Sequence, residues 1–178
     1  MSSVFAQVED MLAAGAEDLF ACYGTSSTAV RNQHPAETDE EKVVATIGWA
    51  CEDGSRGNLL MVAPRSVIEH LQPPEEGMVL TNADICDVLG EFSNMLLGRL
   101  KNMLLQKGVA LMLSTPTTVL VKEPWFSTPL GRWSWMAFDM SVGSAHVRLD
   151  ATFTEEFVLS EERSALAPEL AEGEMMLF

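Results

Sequence analysis

The chain has 178 residues, 47% apolar and 21% charged, with 26 acidic against 11 basic side chains and a formal charge of −15. One domain of this length buries a core without disulfides or a structural metal. The acidic balance argues against nucleic acid and anionic membranes, because neither would find a basic patch, and it favours solubility.

Cys22, Cys51 and Cys86 are odd in number, far apart and lack a CxxC spacing. Reduced thiols in a cytoplasmic setting are expected rather than a disulfide framework. The N-terminus MSSVFAQVED has no basic region and meets Glu9 and Asp10 early, so no secretory signal is expected. No apolar run approaches the ~20 residues that span a bilayer.

Residues 4–22 space Val4, Phe5, Val8, Met11, Leu12, Leu19 and Phe20 as a helix, capped by Ser2 or Ser3 and stopped at Gly24. Residues 25–42 are polar, with Pro35 and an acidic cluster, and predict a loop. Residues 43–52 alternate as a strand, 53–57 turn, and 58–63 return, which predicts a hairpin. Pro64 opens a short helix through Leu71, and QPPEEG breaks the chain.

Residues 81–107 predict a long amphipathic helix closed by Gly108. Residues 109–114 predict a buried strand, interrupted by Pro116 and continued to about Lys122. A loop at 123–131 leads to a strand at 132–142, a turn at Gly143-Ser144 and a returning strand. This order predicts an α+β fold: a mainly antiparallel sheet of about five to six strands with about three helices packed on one face. Residues 1–159 are expected to form the domain and 160–178 an acidic tail.

His34, His70 and His146 lack metal-ligand spacing and read as solvated or packed. No GxSxG, P-loop or GxGxxG precedes a helix. The methionines, including Met95, Met103, Met112, Met136 and Met140, read mostly as core. The tryptophans read as a sheet face against helices.

The long helix carries the one unusual pattern. Its apolar face holds Ile85, Val88, Leu89, Phe92, Met95, Leu96, Leu100 and Met103. Opposite lie Asp87, Glu91, Asn94 and Gly98 in one narrow stripe, two of them poor helix formers. A bland account exists for each: Asp87 as a first-turn acid, Glu91 solvated or ion-paired, Asn94 bonded locally, Gly98 admitting a close neighbour. The functional account takes Glu91 and Asn94 as a pair projecting from a rigid scaffold. A carboxamide orients water, and a carboxylate grips a partner's lysine. Phosphoryl transfer asks mainly for such positioning.

The segment Asp87-x-x-x-Glu91-x-x-Asn94-x-x-x-Gly98, with Gly90 and the following MLLG, resembles the signature helix of the CheC/CheX/FliY chemotaxis phosphatases. Pro116, 22 positions after Asn94, matches a proline of that family, and the element order over about residues 4–155 follows it. One such helix and no internal repeat resemble the CheX branch, whose members often pair as homodimers.

The resemblance implies a CheX-like fold and dephosphorylation of a CheY-like response regulator. Glu91 would contact the regulator's active-site lysine and Asn94 would orient the attacking water. Asp87, Gly98 and Pro116 would be structural. The regulator would hold the Mg²⁺, so the chain is expected to bind no cofactor of its own. A non-catalytic docking module in two-component or motility signalling is the competing expectation.

Overall fold

The computed structural model describes residues 3–36, 40–73, 79–122 and 131–160. In chain order the elements are α1 (Val4–Cys22), β1 (Ala29–Arg31), β2 (Lys42–Ala50), β3 (Arg56–Pro64), α2 (Arg65–Leu71), α3 (Asn82–Gln106), β4 (Met112–Leu113), β5 (Thr117–Val121), β6 (Arg132–Met140) and β7 (Gly143–Thr152). The strands form one antiparallel sheet in the order β1-β6-β7-β3-β2-β4, and β5 pairs with the start of β2.

Strand alternation sorts the sheet into two faces. Val43, Ala45, Ile47 and Trp49 of β2, Leu59 and Met61 of β3, and Val147 and Leu149 of β7 turn to one side. Leu12, Ala16 and Phe20 of α1 and Phe92, Leu96 and Leu100 of α3 close over them. The α+β expectation and its three helices on one face hold; the sheet has seven strands where five to six were expected. The extra strand is β1, inside the expected 25–42 loop. Three residues are too short to show a period. Long-range partners hold them instead: Ala29 opposite Phe138, the Ala29 N–H donating to Glu17 Oε1 at 2.9 Å, and Arg31 paired with Glu9 and Asp10 of α1.

Two other boundaries move. The apolar run 109–114 supplies only the two-residue β4, because Val109 and Leu111 are buried in continuation of α3. There the Val109 N–H donates back to Leu104 O at 2.9 Å. The β6–β7 turn is Ser141-Val142, and Gly143 already pairs with Met140. The end of the expected domain is packed: Phe157 is buried with its ring 4.4 Å, centroid to centroid, from that of Phe153, and the Ser160 N–H donates to Lys107 O at 3.0 Å. Residues 161–178 and Trp125 lie outside the described residues.

The far face of the sheet is less apolar. Val44, Val62 and Trp135 form a small cluster there. Arg148 lies 5.6 Å from the Trp135 ring and makes a bidentate pair with Asp150, Nε to Oδ1 and Nη2 to Oδ2, each 2.7 Å. Trp133 and Trp135 belong to this face with His34, so among the described tryptophans the reading against helices holds only for Trp49. Met112 is exposed, against the core reading given to it.

His146, beside the far-face cluster, is buried, which pushes its imidazole below the ordinary value of about 6.5; Asp139 opposes the shift, and Lys42 and His34 add to it. A folded-state value below the unfolded one means the unfolded chain binds the extra proton as pH falls through about 6.5. Stability on this account is full above that pH and drops below it. Thermal melts between pH 7.5 and 5.5 are expected to fall in Tm, and His146→Gln to fall less steeply.

Candidate functional site

Residues 81–107 fold as expected, with the helix itself at 82–106 and Thr81 and Lys107 as its caps. The start is fixed by a capping box. The Asp84 N–H donates to Thr81 Oγ1 at 3.2 Å, and the Thr81 N–H donates to Asp84 Oδ2 at 2.7 Å. The first-turn acid is therefore Asp84, not Asp87, which sits a turn further on. Arg65 of α2 ties the same end down, donating to Leu80 O and, at 3.1 Å, to Asn82 Oδ1. At the other end Lys107 accepts from Ser160, and Val109 closes back on Leu104.

Burial sets the rotation of this rod. Ile85, Leu89, Phe92, Leu96 and Leu100 enter the core. Ser93 also turns inward, and its hydroxyl is satisfied by donating to Leu89 O at 2.9 Å. Helical geometry then places Asp87, Glu91 and Asn94 on the solvent side, and all three are exposed. Glu91 and Asn94 are three apart, with Cβ atoms about 5–6 Å from each other. Among the described residues, none of the three makes a hydrogen bond or ion pair with the rest of the chain. The local bond for Asn94 and the ion pair for Glu91, offered by the bland account, are absent there.

Pro116 precedes β5, the strand against which α3 lies. At Gly90 an added Cβ would stand 3.3 Å from Thr118 Cγ2, so α3 lies tightly on β5 at that level. α3 starts beside Arg65, at the sheet end where Lys42 pairs with both Pro64 and Val121, and heads toward the end where Met112 pairs with Ala50. Going back along β5 from Thr118 to Pro116 climbs about 7 Å in that direction. Going along α3 from Gly90 to Asn94 climbs about 6 Å. On these rises Pro116, in the irregular stretch just before β5, falls at about the level of Asn94 along the strand direction.

Gly98 differs from expectation. An added Cβ would meet nothing within 4 Å, so no neighbour among the described residues uses the space. Where α3 meets α1 the close approach is admitted by Gly15 of α1, where a Cβ would lie 3.1 Å from Met103 Cε and 3.6 Å from Arg99 Cβ. Gly98→Ala is therefore expected to stabilise the fold by about 0.5–1 kcal/mol, the helix-interior difference between the two residues. A denaturant melt checks this; destabilisation would show that a neighbour needs the gap.

The opposite flank of the stripe carries a residue that sequence reasoning missed. Tyr23, the C-cap of α1 and the chain's one tyrosine, packs its ring 4.4 Å from that of Phe92, centroid to centroid. Its hydroxyl donates to Met95 Sδ at 3.9 Å. The available signal was its position three after Phe20 on the helix face turned to α3.

Among the described residues, no group of three or more His, Cys, Asp or Glu side chains could hold a metal ion, and no helix is long and apolar enough to cross a membrane.

No protein-family model matches the sequence, and no curated protein matches it. Solved structures do match in shape. A CheC-like superfamily protein from Shewanella sp. PV-4 superposes with a TM-score of 0.72 at 18% identity, over 85% of this chain and 100% of that one. The chemotaxis protein CheX from Vibrio vulnificus gives 0.71 at 17% identity, over 82% and 99%. A chain of the CheX-CheY-BeF3-Mg+2 complex from Borrelia burgdorferi gives 0.63 at 11%, over 82% and 97%. The fold is that of the CheC-like and CheX chemotaxis proteins, spanned almost end to end.

Proposed function

We propose that this chain is a phosphatase for the aspartyl phosphate of a CheY-like receiver domain, with Glu91 and Asn94 as the working pair. The observation that carries the reading is the exposure of both side chains, without partners among the described residues, on a helix fixed at both ends. The shared fold supports it, since one protein of that fold is solved in complex with CheY.

In this reading the receiver supplies the phosphoryl group and holds the Mg²⁺, so no metal ligand is required of this chain. The Glu91 carboxylate accepts from a lysine ammonium of the receiver, which fixes the docking register. The Asn94 carboxamide enters the receiver's site. Its oxygen accepts from a water and its NH₂ donates, holding the water in line with the bond to be broken. Water adds to phosphorus, the P–O bond to the aspartate breaks, and the carboxylate and inorganic phosphate leave. Neither side chain forms a covalent bond. Asp87, Gly98 and Pro116 are read as structural: the first two share the stripe, and Pro116 leads into β5.

The test is the decay of phosphorylated receivers, screened across candidate domains, with and without the protein. Acceleration is expected for the cognate receiver. Glu91→Ala is expected to raise KM about tenfold or more while changing kcat less, because its contact is made on docking. Tight binding with an unchanged phosphate lifetime would reduce the chain to a docking module and overturn the catalytic reading.

A further inference from the structure

Tyr23 is 37% exposed although its ring is packed on one side. The side chains that hold it are the neighbours of the pair. Phe92 follows Glu91, and Met95 follows Asn94 and lies four residues from Glu91 on the same helix face. Its backbone is fixed as well, since its N–H donates to Phe20 O at 3.0 Å. The stripe therefore runs between a fixed aromatic ring on one flank and β5 on the other, where Gly90 meets Thr118. Among the described residues, the other large exposed apolar side chains lie on the far sheet face or in connecting segments.

From this we infer that Tyr23 is a docking residue for the receiver domain, packing its free ring face beside the point where Glu91 and Asn94 enter. The inference rests on the phosphatase reading above. Rigid tyrosines suit such contacts, because they bury a large area and lose little conformational freedom. Anything that brings its active site over Glu91 and Asn94 meets the ring a turn away. Tyr23 touches no reacting atom, so its contribution is to affinity alone.

The experiment measures decay kinetics with the phosphorylated cognate receiver, and equilibrium binding to that receiver loaded with beryllofluoride and Mg²⁺. Tyr23→Ala is expected to raise KM and Kd about tenfold with kcat within about twofold. Tyr23→Phe, which keeps the ring, is expected to stay within about twofold of wild type on all three. If Tyr23→Ala fails to fold, Tyr23→Gln serves, since its stem still covers Phe92 and its melt certifies the fold. A folded non-aromatic variant with wild-type KM and Kd overturns the docking role. So does a loss confined to kcat. Where Asn94→Ala is inactive in the same series, the phosphatase reading survives that failure. No binding and no accelerated decay with any receiver overturns both.

Discussion

Asn94→Ala is expected to lower kcat for receiver dephosphorylation by about 100-fold or more, while Kd for the beryllofluoride-loaded receiver stays within about threefold. The asymmetry follows from placement. Asn94 is exposed, without a partner among the described residues, and supported from behind by Phe92, Leu96 and Leu97 in the core. Truncating it leaves the helix face, the capping box and Glu91 in place. What is lost is the carboxamide that fixes a water, an interaction made on the way to the transition state rather than on docking. Asn94→Asp separates positioning from charge: it keeps an acceptor but removes the NH₂ donor and adds a negative charge beside a phosphoryl group. It is expected to be about as inactive as alanine. Wild-type turnover in Asn94→Ala would refute the assigned role.

Asp150→Ala is expected to destabilise the fold by about 3–5 kcal/mol, the range seen when one member of a buried ion pair is removed. Arg148 and Asp150 are only 6% and 5% exposed, and both oxygens of the carboxylate take a guanidinium N–H. They are two apart on β7, so they project from the same face next to Trp135. Without the carboxylate the guanidinium stays buried beside the indole, having lost its bidentate acceptor. Replacing both residues together with apolar ones of similar size is expected to recover most of the loss. Urea melts of the single and double variants decide it, and a loss under about 1 kcal/mol for Asp150→Ala would refute the assigned contribution.

Local chemistry made the site helix legible. Thr81, the apolar spacing from Ile85 to Leu104, and Gly108 carry both ends and the rotation in one stretch of chain. The hairpin of β2 and β3 and the alternation of β6 and β7 were equally local. Sequence order put Pro116 just ahead of β5, but the packing of α3 on that strand, with Gly90 against Thr118, rests on long-range contacts. What failed to show depends on distant partners. β1 exists because β6 and α1 hold it. Arg148 and Asp150 alternate with apolar residues as a solvated strand face would, and only the packing reveals their burial. Tyr23 carries no local signal of its place; Phe92 and Met95 of α3 close under it only in the fold.

The bond from Ser160 to Lys107 has a practical consequence. Ser160 is held against the far end of the helix that carries the pair. Lys107 lies about 20 Å along the helix from Asn94. A receiver fused directly after Ser160, in place of residues 161–178, by a flexible linker would reach the pair at millimolar effective concentration, so a weak encounter could be studied as a unimolecular one.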